Sequence, residues 1–262
     1  PLTDPADQQS IDLEQFKQMV DAFIEGGGTY FDTAFVYHEG ASEKALKEAL
    51  VKRYPRDAYT VATKCLAWAA PSAEEAKSNL ATSLERMGLD YVDIFYHHRM
   101  DPKTPLEETM GALAQAVRSG KALYAGLSNY DGPTLEKAAA ILDELHVPFV
   151  INQNRYSILD RTVEKNGLKE TAAKLGKGII TFSPLAQGRL TDRYLHGIPA
   201  DSRVHTDGRF LKESDLTPEL LGRIAKLNDL AAARGQTLAE MALAWILRDG
   251  KVTSVLIGAS KP

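Results

Sequence analysis

The spacing and composition of short β-rich runs predict an α/β fold, an eight-stranded (β/α)8 barrel of the TIM-barrel type. Seven such runs start 30, 32, 31, 27, 29 and 76 residues apart, and about 30 residues hold one strand, one helix and two short loops. The runs are continuously apolar, as parallel strands covered on both faces should be. They are Thr29 to Asp32, Tyr59 to Lys64, Tyr91 to Tyr96, Ala122 to Ser128, Phe149 to Gln153, Gly178 to Ser183 and Ser254 to Ile257.

Amphipathic stretches between these runs predict the helices. In the first stretch, apolar residues from Phe16 to Phe23 recur at helical spacing, and Gly88 and Gly120 are typical of helix ends. Strands that alternate with helices at this spacing form a parallel sheet. The predicted helices run from Asp12 to Glu25, Ser42 to Leu50, Ser72 to Gly88, Thr104 to Gly120, Gly132 to His146, Pro218 to Arg234 and Leu238 to Asp249.

The whole chain, residues 1–262, is predicted to form a single barrel domain with a long loop at about 190–218. This loop is rich in charges, glycine and proline, and long loops on a compact scaffold are commonly lids or binding elements. Because the barrel needs eight strands and the pattern supplies seven, the barrel is predicted to be clipped at its first strand and at its C-terminal helix.

The composition excludes several classes of protein. The formal net charge of 31 − 35 = −4, with 44% apolar and 25% charged residues, is typical of a globular protein and argues against nucleic-acid binding through bulk positive charge. No apolar run is long enough to span a membrane, and no secretory signal opens the chain. The single cysteine, Cys65, favours a reducing, cytoplasmic setting. No His, Asp or Glu pair indicates a metal site.

Candidate catalytic residues follow three neighbouring strands, at the end of the barrel where active sites lie. Asp32 ends one run and Tyr37 comes five residues later, Lys64 ends the next run, and His98 follows a third. This set suits acid catalysis on a carbonyl group: an ammonium stabilises a phenolate, a carboxylate holds the ammonium, and an imidazole orients the carbonyl oxygen. Each residue taken alone also has a structural interpretation, as a helix cap, a rim lysine, a packing tyrosine or a polar loop residue.

The order of these motifs resembles the aldo-keto reductases over nearly the whole chain. The resemblance implies that Tyr37 is the proton donor, that Lys64 and Asp32 tune it, and that His98 orients the carbonyl. His98 is preferred over His97 because it lies five residues after Asp93. The motifs that carry the resemblance are Gly28 to Ala34 with Tyr37, Thr63-Lys64, and Tyr91 to Phe95 with His98.

The same resemblance implies a binding site for NADPH. In it, Ser128, Asn129 and Gln153 hold the nicotinamide carboxamide and Phe182 stacks on the ring. The residues implied for the phosphates, the clamping loop and the adenosine 2′-phosphate are Ser183, Pro184, Leu185, Gln187, Gly188, Arg193, Arg203, Gly258 and Ser260. The loop is most similar to the glyceraldehyde-3-phosphate reductase and potassium-channel β-subunit branches, whereas the N-terminal third resembles another branch.

The expected function is therefore NADPH-dependent reduction of a small carbonyl substrate, an aldehyde or ketone, to an alcohol. A cofactor-sensing regulatory subunit with little turnover is the alternative, because one fold serves both roles. A clipped, inactive barrel is a third possibility. The sequence leaves the physiological substrate and the formation of a homo-oligomer open, and the arginine or glutamine and the asparagine expected shortly after Ser260 would lie beyond Pro262.

Overall fold

A computed structural model describes residues 1–65, 73–206, 208, 210–259 and 261–262. Within them, seven parallel strands pair strictly in chain order and curl into a half-barrel, which confirms the predicted barrel architecture. In the described residues, β1 pairs only with β2 and β7 only with β6, so the sheet is open between β1 and β7. The strands are β1 Tyr30–Asp32, β2 Thr60–Cys65, β3 Val92–His97, β4 Ala122–Ser128, β5 Phe149–Arg155, β6 Gly178–Phe182 and β7 Ser254–Val255.

Helices follow the strands, and their ends agree closely with the predicted signals. Asp12 caps the first helix by accepting a hydrogen bond from the Gln15 amide, and Thr237 forms a capping box with Glu240. The helices are α1 Leu13–Glu25, α2 Ala41–Leu46, α3 Ala73–Met87, α4 Leu106–Arg118, α5 Gly132–Glu144, α6 Thr162–Lys165, α7 Leu168–Lys174, α8 Arg203–Thr206, α9 Pro218–Ala233 and α10 Leu238–Leu247.

Some boundaries differ from the predicted ones. The last strand ends at Val255 instead of Ile257, and α2 continues as a π-helical turn over Lys47–Val51. Pro105 is the N-cap of α4, one residue before its first helical position. The predicted loop at 190–218 holds the short helix α8 and a 3₁₀ turn, Asp192–Tyr194. The predicted helix start at Ser72 lies outside the described residues.

The main hydrophobic core lies between the sheet and its helices. Val61, Phe95 and Leu127 point outward from β2, β3 and β4 and are almost completely buried. Burying a side chain of this size contributes about 1.5–3 kcal/mol. A smaller cluster faces the barrel interior around Tyr96, and a Cβ at Gly126 would lie 2.6 Å from the Tyr96 ring. Only glycine therefore allows this tyrosine to lie across the neighbouring strand.

Parallel pairing in chain order brings the carboxyl ends of all seven strands to one edge of the sheet. Asp32 pairs in register with Ala62, and Lys64 pairs with Tyr96. This register places the residues that follow β1, β2 and β3 at a common mouth. No helix in the described part of the chain is long and apolar enough to cross a membrane.

Candidate active site

A buried ion pair forms the base of the site. The ammonium of Lys64 donates hydrogen bonds to Asp32 Oδ1 and, at 2.8 Å, to the carbonyl oxygen of Thr33. Only 1% of Lys64 is exposed. Since an unpaired buried charge is costly, the Asp32 carboxylate both holds the ammonium in place and compensates its charge.

Tyr37 lies above this pair, on a 3₁₀ turn that follows β1. The Lys64 ammonium lies 5.0 Å from the centroid of the Tyr37 ring, and the Tyr37 and His98 rings meet edge to face at 5.9 Å. The tyrosine is 37% exposed. The structure thus brings Asp32, Tyr37, Lys64 and His98 to one mouth as predicted. The ammonium faces the tyrosine ring, and no described residue makes a hydrogen bond to the Tyr37 hydroxyl.

The two adjacent histidines have different surroundings. Burial, together with the charges of Lys64 and Arg99, lowers the pKa of His98 to about 4, so this imidazole is neutral near pH 7. His97 points away from the mouth, and its Nδ1 lies 2.7 Å from the Tyr130 hydroxyl. Burial lowers the pKa of His97 to about 4 as well. The geometry therefore leaves His98, the histidine preferred in the sequence analysis, as the neutral group beside Tyr37.

Two tyrosines that the sequence analysis did not select complete the base of the site. Tyr30 donates a hydrogen bond to Asp32 Oδ2 at 3.3 Å, and its hydroxyl lies 3.1 Å from that of Tyr96. Burial raises the pKa of both phenols, so both remain protonated. Tyr30 precedes Asp32 by two residues and Tyr96 precedes His98 by two. The two-residue alternation of strands was the signal that would have identified them.

Amide side chains border the site on the side of β4 and β5. Asn129 has a left-handed backbone, φ 61°, and its Nδ2 donates to the carbonyl oxygen of His98 at 2.9 Å and to Ser128 Oγ at 3.1 Å. Ser128 pairs in register with Gln153. Gln153 Nε2 donates to Asp32 Oδ2 at 2.8 Å. The three residues predicted to hold a carboxamide therefore lie together next to the ion pair.

The loop after β6 has the backbone shape of an anion cradle. Ser183, Ala186, Gln187 and Gly188 all have positive φ, between 50° and 86°. Left-handed backbone is costly outside glycine and concentrates at functional sites, and successive amides in such conformations form concave sites for anions. Gln187 also donates to Ser183 Oγ at 3.2 Å. A loop of this kind fits a pyrophosphate group.

The remaining predicted cofactor residues lie around this loop. Phe182 is half-buried at the end of β6, with the guanidinium of Arg155 5.8 Å from its ring centroid. Arg203 donates to Gln187 Oε1. Arg193 is paired with Asp201 within its own loop at 2.7 Å. The other predicted residues are Pro184, which is buried, Leu185, which is half-buried, Gly258, which is exposed, and Ser260, which lies outside the described residues.

In the described ranges, no group of three or more His, Cys, Asp or Glu residues is arranged to hold a metal ion. Cys65, at the end of β2, is buried, and burial raises the pKa of its thiol to about 12. A thiol with so high a pKa is a poor nucleophile. The functional groups that the structure places at the mouth are a phenol, an ammonium, a carboxylate and an imidazole.

The chain is similar in sequence and in fold to known proteins. The sequence profile of the aldo/keto reductase family matches residues 3–262. L-glyceraldehyde 3-phosphate reductase of Escherichia coli (strain K12) is 43% identical over 95% of this chain and 76% of its own length. A probable voltage-gated potassium channel subunit beta of Oryza sativa subsp. japonica is 31% identical, over 96% and 80%. A thermostable aldo-keto reductase, crystallised with the inhibitor epalrestat, superposes with a TM-score of 0.75 at 28% identity, covering 95% of this chain and 78% of the other.

Proposed function

Because the chain belongs to the aldo/keto reductase family, we propose that it reduces small aldehydes with NADPH and that Tyr37 is its proton donor. Family membership makes the protein an NAD(P)H-dependent oxidoreductase that reduces carbonyl groups to alcohols. The observation that carries the assignment of residues is the buried Asp32–Lys64 pair beneath the Tyr37 ring.

The residues at the mouth divide the work of proton transfer. The Tyr37 side chain, in a residue that is 37% exposed, donates the proton of its hydroxyl to the carbonyl oxygen of the substrate. The phenolate that remains is stabilised by the Lys64 ammonium, whose own charge is balanced by Asp32. His98, which is neutral, donates a hydrogen bond to the carbonyl oxygen and holds it in line with the phenol.

The residues present fit NADPH, which supplies the hydride when it is bound. Ser128, Asn129 and Gln153 offer a hydroxyl and two amides for the carboxamide of a nicotinamide, next to the ion pair. The left-handed loop from Ser183 to Gly188 is suited to the pyrophosphate, with Arg203 next to it through Gln187. We assign Phe182 to stacking on the nicotinamide, and Arg193, Gly258 and Ser260 to the rest of the nucleotide.

The name of the Escherichia coli relative supports a phosphorylated three-carbon aldehyde as the substrate class. Arg99 follows His98 directly, is exposed, and lies close enough for its charge to lower the pKa of His98, so we assign it to a substrate phosphate. A single, buried thiol in the chain supports a cytoplasmic location.

A fluorescence titration followed by an aldehyde chase tests this function. We expect NADPH to quench the intrinsic protein fluorescence more strongly than NADH at equal concentration, and to raise the melting temperature because it binds only the folded chain. Addition of glyceraldehyde 3-phosphate or a dicarbonyl compound should then oxidise the bound NADPH. Binding of NADPH without turnover of any carbonyl compound tested would contradict the proposed activity. It would favour a regulatory subunit, as the potassium-channel relative suggests.

A further inference from the structure

A buried ion pair that the proposed proton transfer does not use lies behind the loop that carries Tyr37. Glu43, in the first turn of α2, is completely buried, and its Oε2 lies 3.1 Å from Nη1 of Arg86, in the last turn of α3. The other carboxylate oxygen of Glu43 accepts a hydrogen bond from Thr63 Oγ1 at 2.8 Å. Removing one partner of such a pair leaves a buried, uncompensated charge.

Arg86 holds the loop by three contacts. Its Nη1 donates to the carbonyl oxygen of Phe35 at 3.0 Å, and its guanidinium lies 4.3 Å from the centroid of the Phe35 ring. A Cβ at Gly40 would lie 2.8 Å from the Arg86 guanidinium carbon, so the guanidinium also packs closely against the far end of the loop. Phe35 and Gly40 flank Tyr37 on both sides. The arginine therefore restrains the backbone before and after the tyrosine.

Glu43 connects this arginine to the strand that carries Lys64. Thr63 directly precedes Lys64 on β2, and successive side chains of a strand point to opposite faces. Thr63 accordingly faces Glu43 in α2, while Lys64 faces the barrel interior and Asp32. A single carboxylate thus joins the strand of the ammonium to the arginine that holds the loop of the phenol.

We propose that the Glu43–Arg86 pair is a positioning device that holds Tyr37 over Lys64 for proton transfer. This inference rests on the proposed function of Tyr37. Misplacing a reacting group by about 1 Å costs on the order of 10²-fold in rate, so an anchor of this loop affects catalysis without touching the substrate.

The test is a double substitution, Glu43→Gln with Arg86→Met, which removes both charges together and leaves no buried charge alone. We expect kcat to fall on the order of 10²-fold, while KM and the NADPH dissociation constant change by less than about threefold. The single substitution Arg86→Lys keeps the charge but loses the stacked, planar guanidinium. It should recover part of the lost kcat.

The chain offers a matched control at the opposite end of the barrel. Arg56 is paired with Asp93 at 2.6 Å and lies 4.3 Å from the centroid of the Tyr91 ring. Like Arg86, it therefore combines an ion pair with stacking on an aromatic ring. Asp93 accepts a hydrogen bond from the Val61 amide near the start of β2. This pair therefore lies away from the carboxyl ends of the strands, where the mouth is. The substitutions Asp93→Asn with Arg56→Met should lower the melting temperature and leave kcat unchanged.

Hydrogen exchange separates this inference from the proposed function. In the Glu43–Arg86 double variant, the amides of residues 35–40 should exchange faster than in the wild type, and in the Asp93–Arg56 control they should not. Unchanged exchange in these residues, or an equal fall in kcat in both double variants, would overturn the inference. A wild type that reduces no aldehyde would refute the proposed function, whereas the exchange rates would still decide whether the pair anchors the loop.

Discussion

Two sets of a tyrosine, a lysine and an aspartate lie within the described residues, and we propose a catalytic role for one of them. At the mouth, the Lys64 ammonium bonds to Asp32 and lies 5.0 Å from the Tyr37 ring centroid. On the far side of β5, Lys169 bonds to Asp249 at 2.7 Å and lies 5.1 Å from the ring centroid of Tyr156. Residue type and spacing are therefore nearly the same in both sets.

The two tyrosines differ in exposure and in hydrogen bonding. Tyr156 is completely buried, its hydroxyl donates to Glu164, and it accepts from Arg248 at 3.1 Å. We call Tyr156, Glu164, Lys169, Arg248 and Asp249 the clamp, because they join the end of β5 to α6, α7 and the residues after α10. Tyr37, in contrast, is 37% exposed, and no described residue bonds to its hydroxyl.

This comparison shows what makes such a set reactive. A phenol donates a proton to a substrate only if the substrate reaches it and if its hydroxyl is not already engaged. Where charged partners occupy the hydroxyl, the same residues tie helices together instead. Exposure and the remaining bonding capacity, rather than residue type, distinguish the mouth from the clamp.

The largest difference is expected between the two lysines. Lys64→Met should lower kcat on the order of 10²–10⁴-fold, because the ammonium that stabilises the phenolate is lost. Lys169→Met should leave kcat within about twofold and lower the melting temperature, because it breaks a buried pair without reaching the substrate. Steady-state kinetics with a reactive aldehyde checks both variants. A comparable loss of kcat in Lys169→Met would abolish the distinction.

The two tyrosines should differ in their effect on stability, and here the substitution in the clamp, not the one at the mouth, should have the larger effect. Tyr156→Phe removes hydrogen bonds to three charged groups, those of Glu164, Arg248 and Lys169, and should lower the free energy of unfolding by about 1.5–3 kcal/mol. Tyr37→Phe should change it by less than about 0.5 kcal/mol, since no described residue is hydrogen-bonded to the Tyr37 hydroxyl. Urea unfolding of the two variants provides the measurement. Equal destabilisation would mean that the Tyr37 hydroxyl is bonded in solution.

The remaining expected effects concern pH. Burial raises the pKa of Glu164, but hydrogen bonds from Arg161, Tyr156 and Arg248 outweigh it and bring the pKa to about 2. A lowered carboxyl pKa stabilises the folded state above the unfolded value, and this contribution is lost as the pH falls from about 4.5 to 2. The clamp should therefore weaken in that range. In Glu164→Gln, the melting temperature should depend less on pH there than it does in the wild type.

The histidines near the mouth should act in a higher range. Burial lowers the pKa values of His97 and His98 to about 4, so between pH 6.5 and 4 these residues bind protons in the unfolded chain but not in the folded one. Stability is consequently lost as the pH falls from about 6.5 to 4. Melting temperatures measured from pH 8 to 4 check this prediction, and they should fall less steeply with pH in His97→Gln than in the wild type. The same dependence on pH in both proteins would contradict it.

Most of the fold could be predicted from the sequence because the strands are continuous apolar runs with a period near 30 residues. The positions of the four residues at the mouth could be predicted because each lies at the carboxyl end of a strand or shortly after it. The clamp could not, since Tyr156 and Arg248 are 92 residues apart and meet only through packing of α10 on the barrel. The contacts of Tyr30 with Asp32 and Tyr96 likewise depend on strand register, which local composition does not specify.

Single-turnover reduction by enzyme preloaded with NADPH tests the central role of Tyr37 most directly. Mixing with excess aldehyde should give a rate that is on the order of 10²–10⁴-fold lower in Tyr37→Phe than in the wild type, with unchanged NADPH affinity. The rate of Tyr156→Phe, measured below its melting temperature, should equal that of the wild type. A Tyr37→Phe enzyme that oxidises its NADPH as fast as the wild type would contradict the account.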